Sequence, residues 1–103
     1  MEMEYKKEDK LLTLTITEEI DHHTTEKIKR RADYEIQRLL PRKVIFDFSS
    51  VSFMDSAGIG MIVGRYKLLS ALGSQLELIN VKPNVERVLD MSGILKAIPI
   101  LKV

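Results

Sequence analysis

The chain has 103 residues, enough for one compact domain whose core can hold a fold without covalent staples, and too few for two. Hydrophobic residues make up 45% and charged residues 30%, with a formal net charge of +1 and no cysteine. That balance excludes a disulfide scaffold, thiol chemistry, a cysteine zinc site, and the basic field that would draw nucleic acid or an anionic membrane.

No apolar run approaches the roughly 20 residues that span a bilayer, and residues 1–10 are too charged for a signal peptide. A cytoplasmic location follows by default. His22 and His23 are adjacent and are expected to point apart, which argues against a metal site.

Met1, Met3 and Tyr5 alternate with polar residues, Glu8, Asp9 and Lys10 break the pattern, and Leu12, Leu14 and Ile16 then alternate with threonines. Two strands joined by a tight turn are predicted. From Thr24 or Thr25, either a competent cap, Ile28, Ala32, Ile36 and Leu39 or Leu40 recur at helical spacing until Pro41 stops the run. The basic cluster of Lys27, Lys29, Arg30 and Arg31 is interleaved with acids and reads as a solvated helix face, with Arg31 and Glu35 one turn apart.

"VIFDF", residues 44–48, has the composition of a central strand buried on both faces. After a seven-residue connection, 49–55, a second helix carries Ile59, Ile62, Tyr66, Leu69 and Leu72 and is closed by Gly73. "QLELINV" reads as a further strand, and Pro83 to Gly93 frames a third helix with Val85, Val88 and Leu89 inward. A last apolar stretch, 98–101, interrupted by Pro99, suits an edge strand. The order β, β, α, β, α, β, α, β makes the class α/β: a small mixed parallel and antiparallel sheet with helices packed on it.

The informative segment is "FMDSAGIG", 53–60, where Ser56 opens the second helix at the end of the central strand. Loops of that kind are where α/β sheets place their chemistry. Four readings of Ser56 are open. Asp55 or Ser56 can be an N-cap, contributing about 1 kcal/mol. A serine nucleophile needs a base such as His22 or His23 oriented by Asp21, and Met54 stands where the nucleophile elbow has glycine. A phosphate cradle finds a partial match in Gly58, Gly60 and Gly64, but the strand does not run directly into the glycines and no Walker lysine is present. For Gly60 and Gly64, close packing of the helix on its sheet is the expected explanation. Finally, Ser56 can accept a phosphate from another enzyme, because a helix N-terminus tolerates an anion.

"FMDSAGIG", together with "EIDHHT" upstream, "GRYK" at 64–67 and "DMSGILK" at 90–96, resembles the STAS-domain family of anti-sigma factor antagonists. The likeness runs over nearly the whole chain, 1–103 being one such domain. "DHH", "GRYK" and "DMSG" look more like the sporulation (stage II) branch than the general-stress one.

The resemblance implies a binding protein and not an enzyme. Its partner is an anti-sigma factor that is also a serine kinase; binding releases a sporulation sigma factor, and phosphorylation of Ser56 by that kinase ends binding. A PP2C-type phosphatase resets the switch. Ser56 is the implied acceptor, Ala57 removing a second candidate beside it, and Asp21, Met54, Asp55, Ile59 and Gly60 are the implied partner contacts. The implied cofactors and metals are none, with no direct nucleic-acid or membrane contact and a monomer when free. Glu19, beside the Ile-Asp pair, is expected to affect the turn near Asp21. Relatives usually carry a further C-terminal helix past the point where this sequence stops. The alternatives are a general-stress or scaffold STAS protein with another kinase and, more distantly, a small serine hydrolase.

Overall fold

The computed structural model describes residues 1–102. Among them the elements are β1 (Glu2–Lys6), β2 (Leu11–Thr15), α1 (Thr25–Leu39), β3 (Lys43–Asp47), α2 (Ser56–Ala71), β4 (Gln75–Ile79), α3 (Pro83–Ser92), a 3-10 turn at Ile94–Lys96, and β5 (Ile100–Leu101). The predicted order holds.

Element ends follow local chemistry. Helix α1 stops where Leu40 enters the left-handed region at φ 48 and donates its N–H to the Ile36 carbonyl at 2.9 Å, with Pro41 barring continuation. Pro83 opens α3, and Gly73 and Gly93, at φ 74 and 82, follow α2 and α3 in the conformation that glycine adopts without strain. Glu35 is buried at 4% exposure and pairs with Arg38 at 3.0 Å, not with Arg31; the one-turn pair on that helix is Arg30 with Glu26, at 3.3 Å.

The five strands form one sheet in the order β1-β2-β3-β4-β5, with β1 antiparallel to β2 and every later neighbour parallel. Parallel crossovers are right-handed in nearly all cases, and each here steps to the next strand in the same direction. The three helices therefore stack on one face. Burial agrees: Leu12, Leu14, Val44, Phe46, Leu76 and Leu78 are buried, while Thr13, Thr15, Lys43, Ile45, Asp47 and Glu77 on the other face are only half-buried. The expectation that β3 is buried on both faces is thus corrected. It is central, but β-branched and aromatic composition does not report how many faces are covered.

Helix α2 also differs in detail from its predicted face. Gly58, Met61, Ile62, Arg65 and Leu69 are its buried residues, while Ile59 and Tyr66 are half-buried and Leu72 is exposed. Because β2, β3 and β4 run parallel, the loops that follow them emerge at one edge of the sheet. That edge carries Ser56. Among the described residues no helix is long and apolar enough to cross a membrane.

Candidate functional site

Two loops are zipped together at this edge. Ile20 donates its N–H to the Phe53 carbonyl at 3.2 Å and accepts from the Asp55 N–H at 3.0 Å, and Ile20 and Met54 pair as a short parallel bridge. Both side chains are buried, Ile20 completely and Met54 at 4% exposure. Helix α2 lies against this junction at Gly58, where an added Cβ would stand 2.4 Å from Met54 Cγ and 2.8 Å from Ile20 Cγ2. Gly58 is thus the glycine that close packing requires. An added Cβ at Gly60 or Gly64 meets nothing within 4 Å, so the packing expected of those two is corrected.

Asp55 is the N-cap of α2. Its backbone is extended, one carboxylate oxygen accepts the Ala57 N–H at 2.9 Å, and the other accepts the His22 N–H at 3.3 Å. The His22 Nδ1 lies 3.7 Å from that second oxygen. Ser56 is therefore the first helical residue, exposed, and its hydroxyl has no hydrogen-bond partner among the described residues.

Asp21 shapes the turn that leads into α1. Its Oδ1 accepts the N–H groups of His23 at 2.8 Å and Thr24 at 3.0 Å. The His23 bond foremost, and the Thr24 bond with it, hold the Asp21 carboxyl below its ordinary range against the opposing effect of partial burial. Thr24 stands at the cap position, but its hydroxyl donates to the Glu19 carbonyl at 2.8 Å and accepts the Asp21 N–H at 3.0 Å. The expected threonine cap is replaced by an aspartate turn. The His22 and His23 rings do not diverge as expected; they lie 3.9 Å apart at 40° in the loop.

Asp21, Asp55 and Ser56 thus meet at one rim. Ile59 is half-buried and Gly60 exposed on the next turn of α2, while Met54 supports the loop from beneath. Phe53, to which no role is assigned from the sequence, is 52% exposed three residues before Ser56. An aromatic residue in a polar loop was the available signal. From the sequence, Glu19 likewise has no part beyond the local turn. The Glu19 Oε1 accepts the N–H groups of Ser52 at 2.8 Å and Phe53 at 3.1 Å, and its Oε2 accepts the Ser52 hydroxyl.

The geometry bears on the chemistry. Neither histidine hydrogen-bonds Ser56 among the described residues, and the His22 imidazole faces Asp55, so a catalytic triad is not assembled. Beside Ser56, a groove between α1 and α2 is lined by Thr25, Lys29, Ala57, Gly60, Gly64 and Arg65. Arg65, 6% exposed, is occupied with Asp33 at 2.8 Å and with the Met61 carbonyl at 3.3 Å, so the cation of this groove without an ion pair among the described residues is the exposed Lys29, with Glu26 beside it in the lining. Among the described residues no three metal-ligating side chains converge. What the rim does offer is an exposed hydroxyl at the first residue of a helix, with the capping carboxylate of Asp55 directly before it and the exposed Phe53 three residues earlier in the same loop.

The family model of the STAS domain matches residues 2–102. An anti-sigma F factor antagonist from Paenibacillus polymyxa is 39% identical over 90 residues, covering 87% of this chain and 77% of the relative. The solved structure of the anti-sigma factor antagonist SpoIIAA in its unphosphorylated form is 28% identical, with a TM-score of 0.82 over 98% of this chain and 87% of that one. The structure of the Bacillus cell fate determinant SpoIIAA in the phosphorylated form is 27% identical, with a TM-score of 0.73 over 98% of this chain and 90% of that one.

Proposed function

Because the chain belongs to the STAS-domain family of anti-sigma factor antagonists, we propose that it is a phosphorylation-switched partner of an anti-sigma factor. Unphosphorylated, it binds an anti-sigma factor that is also a serine kinase and so frees a sporulation sigma factor. Phosphorylation of Ser56 by the same kinase ends the binding, and a PP2C-type phosphatase restores it. The observation that carries this reading is the exposed, unpartnered hydroxyl at the first residue of α2. The relatives lend support: one is named as an antagonist of the anti-sigma F factor, and another is described in a phosphorylated form.

In the transfer, the Ser56 oxygen attacks the γ-phosphorus of ATP, the hydroxyl proton passes to a base of the kinase, and ADP leaves. This chain supplies only the acceptor and its presentation. The new phosphate sits at a helix N-terminus, where unpaired N–H groups and the dipole favour negative charge, so the fold survives it. At an interface the outcome reverses. A group of about −1.5 to −2 charges beside the Asp55 carboxylate must be desolvated without a cation, which lowers affinity by roughly a hundred- to thousand-fold.

The contact surface in this reading is the rim itself. Asp21 and Asp55 offer carboxylates, Phe53 and Ile59 offer apolar surface, and Gly60 lets a partner approach the helix backbone. Met54 acts from below by holding the loop. The chain works as one domain, as a monomer when free, in the cytoplasm where sigma factors act, with no contact of its own to nucleic acid or membrane.

Intact-mass measurement with the cognate anti-sigma kinase and Mg·ATP tests the reading. One phosphoryl group is expected on this chain and none on Ser56→Ala; Ser56→Ala keeps affinity for the kinase and Ser56→Asp loses it. No added mass with a kinase active on another substrate overturns the reading. Repeating the assay with a general-stress kinase separates the sporulation partner from that alternative.

A further inference from the structure

The acceptor loop is gripped by a carboxylate that lies 33 residues away in the chain. Glu19 engages the backbone N–H groups of both Ser52, at 2.8 Å, and Phe53, at 3.1 Å, and also the Ser52 hydroxyl. Two further groups hold the same loop from the start of α3: Asn84 Nδ2 donates to the Ser52 carbonyl at 2.5 Å, and Lys82 Nζ donates to the Ser49 carbonyl at 2.9 Å. In return, the Asp55 carboxylate crosses to the His22 N–H. Each loop thus presents a carboxylate to the other's amides, on either side of the Ile20 zipper.

Val51 and Met54 anchor the loop in the core, but Ser52 and Phe53 between them are exposed, so the backbone at those two residues is fixed by polar contacts rather than by burial. Charge-assisted bonds to backbone N–H groups are the strongest polar contacts available there. They also act at the right place. Phe53 is the exposed aromatic of the rim, and Asp55 and Ser56 follow it directly.

We infer that Glu19 is a positioning residue for phosphoryl acceptance: by tying down the Ser52 and Phe53 amides it holds the loop in the conformation in which Phe53 and Ser56 are presented to the kinase. The inference rests on the reading of Ser56 as the acceptor. It concerns presentation only, since Glu19 bonds to the loop backbone and to Ser52, not to Ser56.

The consequence is a defined kinetic signature. If only a fraction of molecules holds the competent loop, the apparent affinity for the kinase falls by that fraction, while the transfer step within the bound complex is unchanged. For Glu19→Ala, with all of these bonds lost, the competent fraction falls to about a tenth, so KM for this chain as a kinase substrate rises about tenfold at nearly constant kcat. Glu19→Gln keeps one side-chain oxygen able to accept both N–H groups and recovers part of that loss.

The experiment measures initial phosphorylation rates against concentration of the full chain, for wild type, Glu19→Ala and Glu19→Gln, with the cognate kinase and Mg·ATP. Amide hydrogen exchange at Ser52 and Phe53 and thermal unfolding accompany it. A raised KM with preserved kcat, faster exchange confined to the acceptor loop, and partial recovery in Glu19→Gln support the inference. An unchanged KM in both variants overturns it while leaving the acceptor assignment intact. Unfolding of Glu19→Ala shifts the decision to Glu19→Gln, whose KM must then lie above that of wild type or the inference fails. Absence of phosphorylation on the wild-type chain refutes the acceptor reading, and this inference with it.

Discussion

The three glycines of α2 are one residue type in different environments, and substituting each by alanine separates packing from propensity. At Gly58 the new Cβ falls 2.4 Å from Met54 Cγ, 2.6 Å from Met54 Sδ and 2.8 Å from Ile20 Cγ2. The sulfur end of a methionine yields cheaply, but Met54 Cγ and the branched Ile20 carbon sit next to the backbone of the zipped loops. Overpacking of this kind costs about 1–3 kcal/mol, and the helix-propensity gain of alanine over glycine returns about 1 kcal/mol. Gly58→Ala is therefore expected to destabilise the domain by up to about 2 kcal/mol, a fall in Tm of up to roughly 10 °C for a domain of this size.

Gly60→Ala and Gly64→Ala meet no atom within 4 Å, so only the propensity term remains. Each is expected to stabilise by about 0.5–1 kcal/mol. Urea and thermal unfolding of the three variants against wild type provide the assay. A Gly58→Ala variant as stable as Gly60→Ala would refute the argument, because it would mean that α2 does not press on the Ile20 and Met54 junction. Gly60→Ala carries a second expectation: on a more stable fold, binding to the anti-sigma kinase weakens, since the added methyl group stands on the proposed contact surface.

Phe53→Ala removes a ring that is 52% exposed, so unfolding is expected to move by no more than about 0.5 kcal/mol, while affinity for the kinase, read by calorimetry, falls by about tenfold or more. Asp33→Asn leaves Arg65 buried without its counter-charge. The pair is 2.8 Å apart but out of line for a hydrogen bond, and Asp33 is 25% exposed, so the expected loss is about 2 kcal/mol in urea unfolding, below the cost for a fully buried pair. The carboxyls of Glu19 and Asp21 are both held below their ordinary values of 4.5 and 3.8, Glu19 chiefly by the Ser52 hydroxyl and amide and Asp21 chiefly by the His23 N–H. The unfolded chain thus takes up these protons first as pH falls; the stabilisation is complete above those values and is lost below them. Unfolding midpoints followed between about pH 5 and 3 should fall less steeply in Glu19→Gln than in wild type.

Much of the fold was legible because it is written in local terms. Period-two and helical spacing, Pro83, Pro41 and the glycines after α2 and α3 depend on residues within a turn of one another, and these located the elements in their observed order. A cap at Asp55 or Ser56 was legible for the same reason, and the structure selects Asp55, whose partner is Ala57, two residues on. Ser56 was singled out by its setting between a central strand and a helix, and the family motif around it is contiguous.

What the sequence did not disclose lies in contacts between distant segments. That β3 is covered on one face only follows from three crossovers that step the same way, which no single strand records. That Gly58, not Gly60 or Gly64, is the close-packed glycine depends on where Ile20 sits, on a loop after a different strand. Met54 was implied as a partner contact and Phe53 was given no part; the bridge to Ile20 goes with a Met54 side chain that is 4% exposed, while Phe53 is 52% exposed. Glu19 meets Ser52 only because parallel strands bring their following loops to one edge. The sequence by itself determined the elements, their order and the place of Ser56 at the start of α2, since each rests on neighbours in the chain. Only the tertiary structure decided which side chains surround the Ser56 hydroxyl and which carboxylate holds its loop, since those depend on the order and direction in which the strands assemble.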